Sequence, residues 1–302
     1  MRVLVTGGAG FIGSNLVDAL LARGDQALVV DDLATGNKKN LAPDIPLRIA
    51  DVSDDRALRE AMAGETFDAV VHCAARTKVV ESMEKADLYR RVIVDGTRNV
   101  VRLAEERRAR ILVNISTGGA MYGETPTCAK ETVVVDPPSN YGKFKAEAER
   151  IVGAAGVPNI TLRLANVYGP RQRQDLEGGV ISIFQGCWRR GEPLTVYGDG
   201  TSQRDYIHVA DVVAATVASF AGRWSGIYNI GTGVATSVND LIAAMGRVLG
   251  PPAGVRYAPE RPAEIARSCT DASKAARDGL WRPGISLDEG LRKTVAGSGA
   301  RR

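Results

Sequence analysis

A glycine-rich turn directly behind a short apolar run constrains this chain most: residues 6–14 read Thr-Gly-Gly-Ala-Gly-Phe-Ile-Gly-Ser. Arg2 to Val5 supply a strand and Phe11 to Leu21 an amphipathic helix, the context that such a turn needs. Gly7, Gly10 and Gly13 let the chain turn tightly, let a pyrophosphate approach the backbone and let the helix pack close to the strand. Phe11 and Ile12 lie between those glycines at the N-terminus of the helix, where unpaired N–H groups and the helix dipole favour phosphate. A second strand, Ala27 to Val30, ends in Asp31 and Asp32. A carboxylate about twenty residues beyond the glycines accepts hydrogen bonds from an adenosine ribose and repels a 2′-phosphate, so the expected cofactor is NAD rather than NADP.

Short β-branched runs then alternate with helical segments up to about Asn166. The strands expected are Val3–Thr6, Ala27–Val30, Leu47–Ile49, Ala69–His72, Ile111–Ile115 and Ile160–Leu164, with helices near Arg56–Met62, Leu88–Arg107 and Gly142–Val152. This pattern predicts an α/β fold, a Rossmann-type doubly wound parallel sheet, with residues 1–166 forming the cofactor domain. Beyond it Gly and Pro are denser and elements shorter: a helix at Val180–Arg190, a strand at Asp205–Val209, a helix to Ala221 and a strand at Ile227–Ile230. Residues 167–302 are therefore expected to form mainly a smaller substrate-binding α/β domain, with chain returning to the first domain at about 205–230.

Length and charge narrow the class further. The 302 residues suffice for a large core, and no apolar run is long enough to span a membrane. The first strand starts at the N-terminus and leaves no room for a signal peptide, so a cytoplasmic protein is expected. A net charge of +4, with arginines dispersed, speaks against a nucleic-acid partner. Cys73, Cys128, Cys187 and Cys269 lack paired spacing, and reduced thiols are expected. His72 and His208, the only histidines, have no second ligand nearby in sequence, so packed, hydrogen-bonded rings are expected and no metal site.

Tyr141 and Lys145 open a helix four residues apart, on one face. An ammonium beside a phenol favours the phenolate; moving a tyrosine from about 10 toward 7 takes roughly 4 kcal/mol, which Lys145 and a nicotinamide cation jointly supply in this reading. Such a tyrosine is a competent base toward a sugar hydroxyl.

These residues, together with Asp51-Val52, His72-Cys73-Ala74-Ala75 and Ser116 to Gly123, resemble the extended short-chain dehydrogenase/reductases. Asn166 to Arg171, Gly198 to Gly200, Arg204 to Val209, Tyr228 to Gly233 and Arg261-Pro262 extend the resemblance, over nearly the whole chain, to the UDP-glucose 4-epimerase branch of the NAD-dependent epimerase/dehydratases. The resemblance implies C4 epimerisation of a nucleotide-linked sugar through a transient 4-keto intermediate, the sugar being a UDP-hexose, UDP-hexosamine, UDP-hexuronate or a related nucleoside-linked sugar. It implies that Tyr141 takes the 4-hydroxyl proton, that Lys145 holds the nicotinamide ribose, that Asp31 meets the adenosine ribose, that Asp51 and Val52 lie by the adenine, and that Ala74, Ala75 and Arg76 line the cofactor. Ser116 is expected near the sugar, Asn166, Arg204 and Arg261 on the diphosphate, and Val180 over the base. The resemblance implies a homodimer through the helices at Leu88–Arg107 and Gly142–Val152, while the charge of the exposed faces, including Glu105 to Arg108, leaves a monomer open. Competing readings are a decarboxylase, dehydratase or reductase sharing the 4-keto intermediate, and a catalytically weak NAD-binding protein.

The chain also departs from that pattern. Relatives carry Ser or Thr where this chain has Gly118, so Thr117, Ser116, a water or the substrate must relay the proton; Thr117 either does so or packs and caps its loop. Gly118-Gly119 also lack the Asp-Glu pair of a 4,6-dehydratase. Ile93 replaces a cofactor-fixing Asn, which Asp95 either replaces or, facing solvent, does not. Arg76 is a candidate partner for a uronate carboxylate.

Overall fold

The computed structural model describes residues 1–175, 179–260 and 265–297. Its elements run β1 (Arg2–Thr6), α1 (Phe11–Ala22), β2 (Gln26–Asp31), β3 (Leu47–Ile49), α2 (Asp55–Ala61), β4 (Ala69–His72), α3 (Val79–Glu84), α4 (Ala86–Arg90), α5 (Gly96–Glu106), β5 (Ile111–Thr117), α6 (Asn140–Gly153), β6 (Asn159–Leu164) and β7 (Asn166–Tyr168). There follow α7 (Val180–Arg190), β8 (Leu194–Tyr197), β9 (Gln203–His208), α8 (Val209–Ala218), β10 (Gly226–Ile230), β11 (Ala235–Ser237), α9 (Val238–Leu249), β12 (Val255–Ala258), β13 (Arg267–Ser268), α10 (Ser273–Arg277) and α11 (Leu287–Gly297).

Seven strands form one sheet in the order β10-β6-β5-β4-β1-β2-β3, all neighbours parallel. Its strands are apolar on both faces, as a sheet covered by helices requires. Val3, Val5, Val29, Val71 and Val113 face one core cluster with Leu16, Leu20 and Val212, while Leu4, Leu28, Val70 and Leu112 face the other with Leu58, Val100 and Leu103. Strand order reverses direction at β1, and the crevice outside the carboxyl ends of β1 and β4 is where a doubly wound sheet places its ligand.

Beyond β6 a second layer forms. β9 pairs with β7 and β13 in parallel and with β11 antiparallel, and β8 pairs with β12. Tyr168, Phe184, Leu194, Tyr206, Leu241 and Leu291 pack together there. Within residues 205–230, β9 pairs in the small sheet while its Ile207 joins the core of the large one, α8 packs on α1 and β10 pairs with β6. The helix expected over Leu88–Arg107 is interrupted by a π-helical stretch, Arg91–Asp95, between α4 and α5. Within that stretch Ile93 is buried against Tyr89 and Ala148, and Asp95 pairs with Arg98 at 2.6 Å in an exposed position. Asp95 therefore does not stand in for the missing asparagine. No helix among the described residues is long and apolar enough to cross a membrane.

The expectation of four reduced thiols is corrected by a disulfide between Cys128 and Cys269. The partners are 141 residues apart, so only the tertiary fold brings them together. Backbone bonds flank the link, Ala129 N–H donating to the Cys269 carbonyl at 2.9 Å and Asp271 N–H to the Ala129 carbonyl at 2.8 Å. Cys73 and Cys187 are free. Protein denatured without reductant should therefore show two titratable thiols per chain and four after reduction; four without reductant would contradict the pairing.

Candidate active site

The glycine turn is built for close approach. A Cβ on Gly13 would lie 2.3 Å from the Gly7 carbonyl oxygen, and one on Gly7, whose φ is +68°, 2.7 Å from the Ala74 nitrogen. Neither neighbour can yield, because both are backbone. The first turn of α1 carries no acidic residue and no side-chain cap, which leaves its N–H groups facing the crevice. Asp31 closes β2: its carboxylate accepts from Ala9 N–H at 2.9 Å and Leu33 N–H at 2.8 Å, and Gly36 lies so close that a Cβ there would be 2.5 Å from Asp31 Oδ1. Burial raises the Asp31 carboxyl above the ordinary carboxylate range, and the two N–H bonds oppose that rise. Asp32 accepts from Ala34 N–H at 2.9 Å and pairs with Arg76 at 3.3 Å.

These groups line a cleft of about 470 Å³. Its walls include Gly7, Gly10, Phe11, Ile12 and Gly13 from the first turn, Asp31 and Asp32 from the end of β2, and Asp51 and Val52 from beyond β3. Ala74, Ala75 and Arg76 follow β4, and Asn166 enters from β7. Asp51 fixes its own loop by accepting from Ser53 N–H at 2.8 Å. Arg76, tied to Asp32, belongs to this cleft. His72 is buried and hydrogen-bonded at both ring nitrogens, to Thr6 at 2.7 Å and Thr97 at 3.0 Å; burial lowers it to about 3. His208 caps α8, accepting from Ala210 N–H at 3.2 Å.

The second group of residues lies where α6 meets the end of β5. Ser139 caps the helix through Gly142 N–H at 3.2 Å, and Gly142 lets its first turn press on the 118–123 loop, since a Cβ there would be 2.4 Å from the Ala120 carbonyl oxygen. Tyr141 N–H donates to Ser82 Oγ at 3.1 Å, and its phenol faces Thr117, whose hydroxyl accepts from Ala120 N–H at 3.2 Å. The Lys145 ammonium donates to the Ile115 carbonyl at 2.6 Å, so it does not tune the phenol directly as the four-residue spacing suggests. Burial holds Tyr141 up at about 12, and the Thr117 bond opposes the rise. Burial also lowers Lys145 to about 8, while Glu149 and Cys73 favour its charge.

Ser116 is corrected from substrate contact to structural partner: its buried hydroxyl donates to Glu149 at 2.6 Å. Glu149 also accepts from Arg163, at 2.7 Å from Nη2, and Arg163 donates to Tyr122 at 2.9 Å. The sequence reading missed this buried cluster. Its signal was the recurrence of Tyr141, Lys145 and Glu149 at four-residue steps, one helix stripe. Val180 is half-buried at the start of α7 against the second-layer core. Arg204 is half-buried on β9 and donates to the Gln203 carbonyl at 2.9 Å, outside the walls of the cleft among the described residues. Arg171 pairs with Asp18, and Arg261 lies outside the described residues.

Gly118 is explained by its neighbour. A Cβ there would come 2.4 Å from the Thr270 methyl carbon, and Thr270 is itself held by its hydroxyl on Asp205 at 2.9 Å. Thr270 thus fills the space that a side chain at 118 would need.

Comparison with known proteins decides the family. Residues 3–231 match the model of the NAD dependent epimerase/dehydratase family. The chain belongs to that family. It is 36% identical over 309 residues to a UDP-glucose 4-epimerase of Mycolicibacterium smegmatis, covering 98% of this chain and 97% of the relative. The Thermus thermophilus UDP-glucose 4-epimerase in complex with NAD superposes with a TM-score of 0.93 at 37% identity, over 100% of both chains. A Methanobrevibacter ruminantium UDP-N-acetylglucosamine 4-epimerase, in complex with UDP-N-acetylmuramic acid, gives 0.90 at 29% identity, over 100% of this chain and 99% of that one. NAD, the cofactor of the epimerase/dehydratase family, fits the cleft: glycines where a Cβ would strike backbone, an uncapped helix start for the pyrophosphate, and a carboxylate at the end of β2.

The Gly118–Thr270 contact gives a direct test in this epimerase/dehydratase fold. Gly118→Ser should destabilise the protein by about 1–3 kcal/mol through overpacking. Removing the opposing methyl with Thr270→Ser should recover part of that loss, so the double variant will be more stable in denaturant titration than the sum of the singles predicts. Strict additivity would show that the two side chains do not compete for one space.

Proposed function

We propose that this protein catalyses the NAD-dependent C4 epimerisation of a UDP-linked sugar, with Tyr141 and Thr117 carrying the proton. The observation that carries this reading is the approach of the Tyr141 phenol to Thr117 at the end of β5, with Tyr141 in one packed cluster with Ala75 of the cleft that fits NAD. When bound, NAD supplies the hydride acceptor and donor at the sugar C4. Thr117 bridges the sugar 4-hydroxyl and the phenol, taking the place of the side chain that Gly118 lacks. Tyr141 takes the proton as the 4-keto sugar forms and returns it when the other face is reduced. A phenol that burial holds near 12 stays protonated and takes no proton until a cation adjoins it and favours the phenolate, so proton removal awaits the loaded site.

Lys145 is assigned to the nicotinamide ribose and Asp31 to the adenosine ribose, while Asn166 on the cleft wall, with Arg204 and Arg261, is assigned to the diphosphate, whose oxygens suit guanidinium forks. Val180 is assigned to the base side. The pair Gly118-Gly119 offers no acid or base for removing water across C5 and C6, which favours epimerisation over dehydration. Two copies pair through α5 and α6 in this reading, whose outward surfaces carry the opposed charges of Arg98 and Glu147.

Proton NMR of the protein with NAD and UDP-glucose, UDP-N-acetylglucosamine or UDP-glucuronate tests the reading. A new anomeric signal at unchanged mass is expected with at least one of them. Tyr141→Phe and Thr117→Val should each lower kcat by about 10²–10⁴-fold, the usual cost of losing an acid–base group. No turnover of any member despite bound NAD, or product of lower mass, would overturn it.

A further inference from the structure

Three side chains one turn apart on α6 face three consecutive residues of β5: Lys145 donates to the Ile115 carbonyl, Glu149 accepts from the Ser116 hydroxyl and the Tyr141 phenol adjoins Thr117. The first two belong to the proposed chemistry. Glu149 does not, yet it is the most firmly anchored. Both its oxygens accept from Arg163, at 3.0 Å and 3.1 Å from Nε and 2.7 Å from Nη2, and both side chains are almost fully buried. Arg163 is fixed in turn by Tyr122, whose hydroxyl donates to Asn229 at 2.7 Å. The anchor thus ties β6, the 118–123 loop and β10 to the back of the α6 stripe.

We propose that Glu149 is a positioning residue for the epimerase chemistry: by gripping Ser116 and facing Lys145 from one turn away, it sets α6 on the end of β5 and holds the Lys145 charge in place. The proposal rests on the functional reading above. A shift of α6 along β5 would break the Tyr141–Thr117 contact, because that contact and the Glu149–Ser116 bond share one rigid helix and adjacent strand residues. The electrostatic part follows from what surrounds Lys145. Tyr141 and Glu149 face it from α6, His72 and Cys73 from the end of β4, and the Ile115 carbonyl from β5, with Arg163 behind Glu149 on β6. His72 is neutral and burial pushes the Cys73 thiol up to about 12, so Glu149 is the only full negative charge among these groups. Burial works against the ammonium, and the carboxylate opposes burial.

Glu149→Gln keeps the acceptor for Ser116 and removes the charge. Lys145 ionisation, followed by ¹³Cε NMR of the NAD-loaded protein and assigned with Lys145→Arg, should move down by about one pH unit in this variant. The alkaline limb of the kcat profile should move down with it, because the ammonium is lost at lower pH, while KM for the UDP-sugar stays within twofold. An unmoved Lys145 titration overturns the proposal. Should Glu149→Gln fail to fold, with Arg163 left unpaired, Ser116→Ala decides: it keeps the ion pair and loses one hydrogen bond. It should cut kcat about tenfold at unchanged KM, consistent with a hydrogen bond to a charged group, and Ser116→Thr should restore the rate; wild-type kcat in Ser116→Ala overturns the proposal. Because the NMR titration does not depend on turnover, an inactive wild type would defeat the functional reading while leaving the Lys145 result to judge Glu149.

Discussion

The seat of α6 on the end of β5 hangs on the buried pair of Glu149 and Arg163. Arg163 comes from β6 and Glu149 from α6, and their forked contact fixes the angle and depth at which the helix lies on the sheet. Removing one partner of such a pair costs about 3–5 kcal/mol, because it strands an uncompensated charge in the interior. The same pair costs desolvation to form, so its value lies less in net stability than in the single arrangement it permits. Ser116 transmits that arrangement to the end of β5, where Thr117 meets the phenol of Tyr141.

A second constraint is steric, and it acts at the other wall of the crevice. Gly7 and Gly13 are positions where a methyl group would strike a backbone atom, so the turn, the helix start and the β4 end stand close enough for N–H groups to reach a pyrophosphate. Gly36 does the same service for Asp31. The Gly118 loop shows the reverse use of space, since the neighbouring Thr270 methyl occupies what a larger residue would need. Cys128 and Cys269 staple the segment carrying Thr270 to the stretch leading into α6.

Much of this was legible in the sequence. The strands of the first half fall within a residue or two of their expected positions, because a parallel sheet buried on both faces writes itself as unbroken Val, Ile and Leu runs. The cleft residues from Gly7 to Arg76 were readable because turns after strands place them and local sequence specifies those turns. What escaped was set by tertiary contacts. Cys128 finds Cys269 across 141 residues, Ser116 turns inward because Glu149 waits there, and Lys145 reaches a backbone carbonyl rather than the phenol. The strands β7, β11 and β13, of two or three residues, lie outside the alternating pattern of the first half, and the π-helical stretch at Arg91–Asp95 buries Val92, Ile93 and Val94 in succession, an apolar run that reads as one continuous helix.

In the proposed epimerisation one hydrogen leaves and returns at the same carbon without meeting solvent, while Tyr141 and Thr117 handle only the hydroxyl proton. Epimerisation in deuterium oxide, with the product read by proton NMR and mass, tests it most directly. The epimer should carry its original hydrogen at C4 and gain no mass from carbon-bound deuterium. Deuterium at C4 would mean that a solvent proton is exchanged at carbon, and would contradict it.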